Sequence, residues 1–225
     1  MKDGWPAGLC LTVATAGLIV KVIVEVSCSD IDCELGIGTL CDAVKALESG
    51  FLVVFPTDTV YGVAADPRVE GACDKLYAAK RREPRKPIPI LVSDVGIAEA
   101  KGAVFSATAR KLATRFWPGP VTMVLPVGAR FDGFRVPHHP VALALLKAVG
   151  GALYVTSANL SGQPPVGTAK EAMDVLAPFV KAVVDGAPHP NGKESTVVKI
   201  DGEKVSILRE GAVSASEIES CISHQ

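Results

Sequence analysis

Short apolar segments alternate along this chain with segments that carry helix signals, and this alternation constrains the fold more than any other feature. The clearest example is segment 51–55, which is wholly apolar and stops at Pro56. A run of this kind is typical of a strand that is buried on both faces. The other predicted strands are 18–26, 88–92, 121–127, 133–136, 152–157, 181–185, 195–200 and 205–209. Their mixture of crossover and hairpin connections predicts one α/β domain with a mixed, twisted sheet.

Helix-capping signals fill the intervals between these strands. Thr168 with Glu171, and Ser214 with Glu217, form capping boxes that predict helix starts. The remaining predicted helices are 39–49, 69–81, 95–101, 106–116 and 140–150. Because no repeat or low-complexity tract divides the chain, we assign residues 18–225 to one domain and residues 1–17 to a leader of uncertain order.

The charge and the aromatic content argue against several classes of protein. The formal net charge is −1, and aromatic residues make up 5% of the chain. Such a chain has no overall field that attracts nucleic acids or membranes, and few rings on which RNA bases could stack. The four histidines and six cysteines lack metal-ligand spacing, so we expect no permanently bound metal.

Two features bear on the compartment in which the protein works. Scattered cysteines in a chain of this length are typical of a reducing cytosol. Residues 4–20 carry no charge, but Pro6 and Gly8 interrupt them, and the stretch is shorter than the ~20 apolar residues of a membrane span. We predict a cytoplasmic protein without a membrane segment, and a signal peptide is the alternative interpretation of the N-terminal stretch.

Positive charge is concentrated in residues 80–87, which hold five cations, one anion and two prolines. Arginine offers forked donors and lysine a point charge for phosphate groups. The prolines lower the entropy cost of aiming these side chains. The segment therefore predicts a polyphosphate site, and the alternative is a solvated helix end, where cations suit the negative end of the helix dipole.

Polar and cationic side chains also stand where predicted strands end. Ser157 and Asn159 follow a buried strand, a common place for ligand contacts in open α/β sheets, although these residue types are also common in turns. Arg135 and Arg209 each end a strand and are candidates for carboxylate or phosphate recognition, with a surface arginine as the alternative. The chain has no complete P-loop and no Gly-x-Ser-x-Gly elbow, so neither kind of site is supported.

Seven short stretches, in order over about residues 40 to 218, resemble the YrdC-like threonylcarbamoyl-AMP synthase family. They are FPTDTVYG at 55–62, Lys80-x-Arg82 with KPIP at 86–89, FWPGPVT at 116–122, RVP at 135–137, SANLSG at 157–162, EST at 194–196 and Leu208-Arg209-x-Gly211. Each stretch is short, but seven in the family's order are highly specific. Glu83 departs from the proline that the family often has after Lys-x-Arg.

The resemblance implies an open, twisted mixed sheet around a large, positively lined cavity, in a single-domain member of the family. It implies a nucleotidyltransferase that forms threonylcarbamoyl-AMP and pyrophosphate from L-threonine, bicarbonate and ATP, with Mg²⁺ entering together with ATP. A downstream transferase complex would then move the threonylcarbamoyl group to tRNA, which need not contact this chain. The oligomeric state is left open.

The resemblance also implies roles for particular residues. The implied catalytic residues are Lys80 and Arg82. The implied threonine-binding residues are Thr59, Leu91, Arg135, Val155 and Ser195. The implied ATP-binding residues are Arg82, Lys86, Ser157, Asn159, Pro165 and Arg209. Two alternatives stay open: a carbamoyl-adenylating domain, and a double-stranded RNA-binding module.

Overall fold

The computed structural model describes residues 40–83, 86–186 and 191–223. The helices are α1 (Leu40–Glu48), α2 (Ala72–Lys80), α3 (Val95–Ala100), α4 (Ala107–Phe116), α5 (Pro140–Ala148), α6 (Ala169–Leu176) and α7 (Ala215–Ser223). The strands are β1 (Leu52–Phe55), β2 (Gly62–Ala65), β3 (Ile90–Val92), β4 (Val121–Val127), β5 (Arg130–Arg135), β6 (Ala152–Ser157), β7 (Val180–Val183), β8 (Thr196–Asp201) and β9 (Lys204–Arg209). The predicted leader 1–17 and strand 18–26 lie outside the described residues.

The described strands form one mixed sheet in the order β7-β1-β2-β6-β3-β5-β4-β8-β9. Three neighbouring pairs are parallel, namely β1 with β7, β3 with β5 and β4 with β8. The other neighbours run antiparallel. The predicted single α/β domain with an open, mixed sheet is therefore confirmed, while the large cavity stays a prediction.

Helices cover both faces of the sheet, which explains the wholly apolar sequence of β1. Val53 and Phe55 pack in a core cluster with residues of α1 and α5. Leu52 and Val54 point the other way and pack with residues of α2 and α6. Alternate residues of a strand face opposite sides, so a strand covered on both faces must be apolar at every position. A third cluster joins α3, α4 and α7 to the β4, β5 and β8 side of the sheet.

Two capping boxes predicted from the sequence differ in detail. In α7, the Ser214 hydroxyl accepts from the Glu217 N–H and the Glu217 carboxylate accepts from the Ser214 N–H, at 3.3 and 2.9 Å. In α6, Thr168 accepts from the Glu171 N–H at 3.1 Å, but the Glu171 carboxylate accepts from Gly167 instead. Both helices nevertheless begin where the boxes predict.

One strand was missed and one helix start was misplaced. The sequence indicated no strand directly after the FPTDTVYG stretch, yet Gly62–Ala65 forms β2. Glycine and alanine have weak strand preference, and β2 exists because it pairs with both β1 and β6. Helix α2 begins at Ala72 rather than at residue 69, because Gly71 has a left-handed φ of 72°.

Within the described ranges, no helix combines the length and the apolar character that a bilayer crossing requires.

Candidate functional site

Two of the sequence motifs meet where β1, β2 and β6 end or begin. Gly62, at the start of β2, pairs with Phe55 of β1 and with Ser157 of β6. The Ala158 N–H donates to the carbonyl of Tyr61 at 2.8 Å. The loop between β1 and β2 therefore lies beside the loop that follows β6, although the two motifs are about a hundred residues apart in the sequence.

The first of these loops carries an ordered chain of hydroxyl groups. The Thr57 hydroxyl donates to the carbonyl of Val60 at 2.7 Å, so its oxygen is left to accept from the Thr59 hydroxyl at 3.0 Å. The Thr59 oxygen in turn accepts from Nη1 of Arg135 at 2.9 Å. Both threonines are buried, and their arrangement fixes which side of Thr59 faces the guanidinium.

Arg135, the last residue of β5, is a buried cation with named partners. Its Nη2 donates to Asp58 Oδ1 at 2.6 Å, and its Nε donates to the carbonyl of Gly119 at 3.0 Å. Burial lowers the pKa of Arg135, and the charge of Asp58 opposes that shift. Gly119, which accepts from Arg135, is followed by Pro120, whose carbonyl accepts from the Thr196 N–H at 3.0 Å. The Arg135 group therefore lies beside the start of β8, and the charge of Arg209 also lowers the pKa of Arg135.

Ser195 and Arg209 form a second group next to the start of β8. The Ser195 hydroxyl lies 2.9 Å from the hydroxyl of Thr122 and 3.3 Å from Nη2 of Arg209. Arg209 also donates to the Ser195 carbonyl at 2.8 Å and to the Glu194 carboxylate at 2.9 Å. Ser195, which the resemblance assigns to the threonine site, thus contacts Arg209, which the resemblance assigns to the ATP site.

Gly211 explains why this second group can form. A Cβ atom at Gly211 would lie 2.3 Å from the Glu194 carbonyl oxygen, closer than real contacts allow. The Gly211 N–H instead donates to the Thr196 hydroxyl at 2.9 Å. Close approach of two backbones is a typical use of glycine, and here it brings the end of β9 against the start of β8.

Lys80 occupies a different place from the one its sequence suggests. Its side chain is 1% exposed, and its ammonium donates to the carbonyls of Ser157 and Asn159 and to Asn159 Oδ1. An ammonium has three donors, so these bonds use all of them. Lys80 is therefore buried, unlike a cation at a solvated helix end, and it holds the loop after β6 in place. Its catalytic role stays a prediction.

The other cations of the basic segment lie nearer to solvent. Arg81 ends α2 with a left-handed φ of 49°. Arg82 is half-buried and donates to the carbonyls of Lys86 and Pro87, both at 3.1 Å. Lys86 is exposed and lies 3.9 Å from the Glu83 carboxylate. Repulsion from Arg82 is one cause of the lowered pKa of Lys80, so Arg82 lies close to Lys80.

The remaining predicted residues fall on the sheet and on the loop after β6. Leu91 is opposite Arg135 in the β3–β5 pair, and Val155 donates its N–H to the carbonyl of Pro89 at 3.1 Å. Pro165 is half-buried and precedes Val166, which packs in the core. The contacts of these three residues with threonine or ATP stay predictions.

Three residues that the sequence interpretation left without a role belong to the same groups. Asp58 pairs with Arg135, Glu194 with Arg209, and Thr122 with Ser195. All three stand inside the quoted motifs, next to assigned residues. Their position beside assigned residues was the available signal. An acidic side chain in a loop, such as Asp58 or Glu194, is common for turn formation alone, and Thr122 lies within strand β4.

The described part of the chain contains no group of three or more His, Cys, Asp or Glu residues placed to hold a metal ion.

Comparison with known proteins identifies relatives over most of the chain. The Sua5/YciO/YrdC family model, described as "Telomere recombination", matches residues 45–211. The threonylcarbamoyl-AMP synthase of Bacillus subtilis (strain 168) is 33% identical over 194 residues, which are 81% of this chain and 56% of the relative. The threonylcarbamoyl-AMP synthase of Chromohalobacter salexigens is 35% identical over 170 residues, 70% of this chain and 90% of the relative.

A solved structure agrees with these sequence relatives. The crystal structure of Pyrococcus abyssi Sua5 complexed with L-threonine has a TM-score of 0.76 and 31% identity, and the match covers 82% of this chain and 57% of that one. The present chain thus spans little more than half the length of the Bacillus and Pyrococcus relatives, and nearly all of the Chromohalobacter one. The chain belongs to the Sua5/YciO/YrdC family.

Proposed function

We propose that this protein is a threonylcarbamoyl-AMP synthase, which joins L-threonine, bicarbonate and ATP into threonylcarbamoyl-AMP and releases pyrophosphate. The observation that carries the proposal is the contact between Ser195 and Arg209, with Arg135 close enough to Arg209 for their charges to interact. An amino acid and a nucleotide need separate cations that lie close together, and this arrangement supplies them. The names of the Bacillus and Chromohalobacter relatives support the same activity.

Threonine is proposed to bind between the loop after β1 and the strands β5 and β8. The Arg135 guanidinium would hold its carboxylate, since arginine matches the geometry of a carboxylate with parallel donors. The Thr59 hydroxyl contacts Arg135, and the Ser195 hydroxyl contacts Arg209. The crystal structure of the Pyrococcus relative complexed with L-threonine supports an amino-acid site in this fold.

ATP is proposed to bind beside it, with its phosphates on Arg82, Lys86 and Arg209. Each of these side chains is at least partly open to solvent. Lys80 would act through Ser157 and Asn159, whose loop it holds in place. Mg²⁺ would be carried by the triphosphate, where it neutralises charge as pyrophosphate leaves.

The chemistry needs positioning and charge rather than a side-chain nucleophile. The amine of threonine attacks the carbon of bicarbonate and expels water, or attacks carbon dioxide and releases a proton; either route yields a carbamate. A carbamate oxygen then attacks the α-phosphorus. The bond between the α-phosphorus and the oxygen that bridges to the β-phosphate breaks, and pyrophosphate departs. Holding the reactants together and stabilising the phosphate charge are the two contributions that the described residues can make.

Incubation with ¹⁴C-bicarbonate, ATP and L-threonine, followed by mass spectrometry, tests this proposal. We expect labelled carbon in a product with the mass of threonylcarbamoyl-AMP. An adenylate that carries no label and forms only when carbamoyl phosphate is added would favour the carbamoyl-adenylating alternative. Absence of any adenylate, with binding of double-stranded RNA, would favour the RNA-binding alternative. We further propose a cytoplasmic location and a downstream transferase complex that delivers the group to tRNA.

A further inference from the structure

The two oxygens of the Asp58 carboxylate differ in their hydrogen bonding within the described residues. Oδ1 accepts from Nη2 of Arg135 at 2.6 Å and from the His138 N–H at 3.0 Å. Oδ2 is buried, and within residues 40–83, 86–186 and 191–223 it has no hydrogen-bond donor. Buried carboxylate oxygens in folded proteins are nearly always paired, since an unpaired one loses its water without replacement. A hydrogen-bond donor from outside the described residues would therefore stabilise this oxygen.

Arg135, in contrast, has hydrogen-bond donors without acceptors among the described residues. A guanidinium has five N–H donors, and three of them go to Gly119, Thr59 and Asp58. Five minus three leaves two donors, one each on Nη1 and Nη2, without an acceptor in the described part of the chain. Both Arg135 and Asp58 have side chains that are largely buried, 6% and 14% exposed.

The ion pair thus presents spare donors and a spare acceptor side by side. Oδ2 is held near the guanidinium by the covalent geometry of the carboxylate, because Oδ1 is bonded to Nη2. A ligand with only negative groups would use the two donors but would be repelled by Asp58. An α-amino acid has a carboxylate and an ammonium on the same carbon, which complement this arrangement.

We propose that Asp58 Oδ2 accepts a hydrogen bond from the α-ammonium of the amino-acid substrate, so that the Arg135–Asp58 pair recognises both charges of the amino acid. This inference rests on the proposed function, since it concerns the same threonine site. Asp58 is then a specificity-determining residue that selects amino acids over hydroxy acids and other carboxylates. When the amine becomes a carbamate it keeps one N–H but loses its charge, so the contact weakens as the product forms.

A purely structural role for Asp58 makes a different prediction. If Asp58 only orients Arg135, its loss weakens every ligand that binds through a carboxylate. If Asp58 also holds the ammonium, its loss weakens only ligands that carry one. The comparison therefore needs two ligands, L-threonine and (R)-3-hydroxybutanoate, which is threonine with hydrogen in place of the amino group.

Both ligands are to be titrated into wild-type protein and Asp58→Asn by ligand-observed NMR. Asparagine keeps an oxygen for Arg135 and His138, and places an amide group where the free oxygen was. We expect threonine to bind about 10- to 50-fold more weakly to Asp58→Asn, as for a lost charged hydrogen bond, and (R)-3-hydroxybutanoate to change by less than about twofold. Asp132→Asn is the matched control, because Asp132 also pairs with an arginine on β5, namely Arg130; it should leave both affinities unchanged.

Equal weakening of both ligands, or of neither, overturns the inference. Should Asp58→Asn fail to fold, the wild-type protein alone decides: threonine bound less than about tenfold more tightly than (R)-3-hydroxybutanoate would also overturn it. Failure of the proposed function looks different, because wild-type protein would then bind no L-threonine at all.

Discussion

The ammonium of Lys80 donates a 2.9 Å hydrogen bond to Oδ1 of Asn159, which ties the end of α2 to the loop that follows β6. The Ser161 N–H returns a bond to the carbonyl of Lys80 at 3.0 Å. Lysine is almost never fully buried unless it is paired. The basic motif and the Ser-x-Asn motif are thus two halves of one structural unit.

Replacing Lys80 with methionine should therefore destabilise the protein as well as reduce its activity. The change leaves three carbonyl oxygens without their buried donor, and we expect the free energy of unfolding to fall by about 2–4 kcal/mol. Urea unfolding monitored by circular dichroism measures this. Lys170→Met is the control, because Lys170 lies on the surface in a pair with Asp174. An unchanged unfolding midpoint for Lys80→Met would contradict this role of Lys80.

The buried ammonium also predicts a pH dependence of stability. Burial, reinforced by the charge of Arg82, lowers the pKa of Lys80 from 10.5 to about 8. Between these values the unfolded chain binds the proton more firmly than the folded one, so stability rises with pH by up to about 1.4 kcal/mol per unit. As the pH falls through about 8, that gain is lost.

The comparison of wild type with Lys80→Met at pH 7, 8, 9 and 10 isolates this effect, since other titrating groups are common to both proteins. Burial raises the pKa of Tyr61, Tyr77 and Tyr154, which acts in the opposite sense but mainly above pH 10. We expect the stability difference in favour of wild type to grow by about 1–3 kcal/mol from pH 7 to 10. A difference that is constant across this range would show that Lys80 has an ordinary pKa.

Arg82 should behave in the opposite way to Lys80. Among the described residues, its guanidinium donates to the carbonyls of Lys86 and Pro87, at 3.1 Å each, and it is half-exposed. We expect Arg82→Ala to weaken ATP binding about 10- to 100-fold, as for a lost phosphate contact, with less than about 1 kcal/mol change in unfolding free energy. Calorimetric titration with a non-hydrolysable ATP analogue provides the affinity. Unaltered affinity would remove Arg82 from the nucleotide site.

Ser195 separates the two substrates less cleanly than its sequence position suggests. Its hydroxyl touches Thr122 and also Arg209. We expect Ser195→Ala to raise the KM for threonine about tenfold and the KM for ATP by about twofold, since the carbonyl contacts to Arg209 remain. Initial rates with each substrate varied in turn measure both. A larger effect on ATP than on threonine would move Ser195 out of the amino-acid site.

Local signals predicted most of the elements. The apolar run of β1 and the capping box before α7 depend on residues close in sequence, and both appear where expected. Strand β2 was missed because its Gly-Val-Ala-Ala sequence becomes a strand only through its two neighbours. The start of α2 shifted because one glycine adopts a left-handed conformation.

The site was predicted residue by residue, but its partnerships were not. The resemblance named Arg135 and Arg209, and the structure brings both into one region. The burial of Lys80 and the half-used carboxylate of Asp58 depend on contacts between segments 77 to 80 residues apart. A sequence shows no such contacts. It could therefore identify the charged groups, but it could not show which of them bind other parts of the protein and which are available to bind substrates.

Pyrophosphate release in the presence of ATP, bicarbonate and one amino acid at a time is the decisive assay for a threonylcarbamoyl-AMP synthase. We expect release to require both bicarbonate and an amino acid, and the rate with L-threonine to exceed the rate with L-serine, which lacks only the methyl group, by about fivefold or more. Release that proceeds equally well without any amino acid, or at the same rate with all of them, would rule out a threonine-dependent synthase.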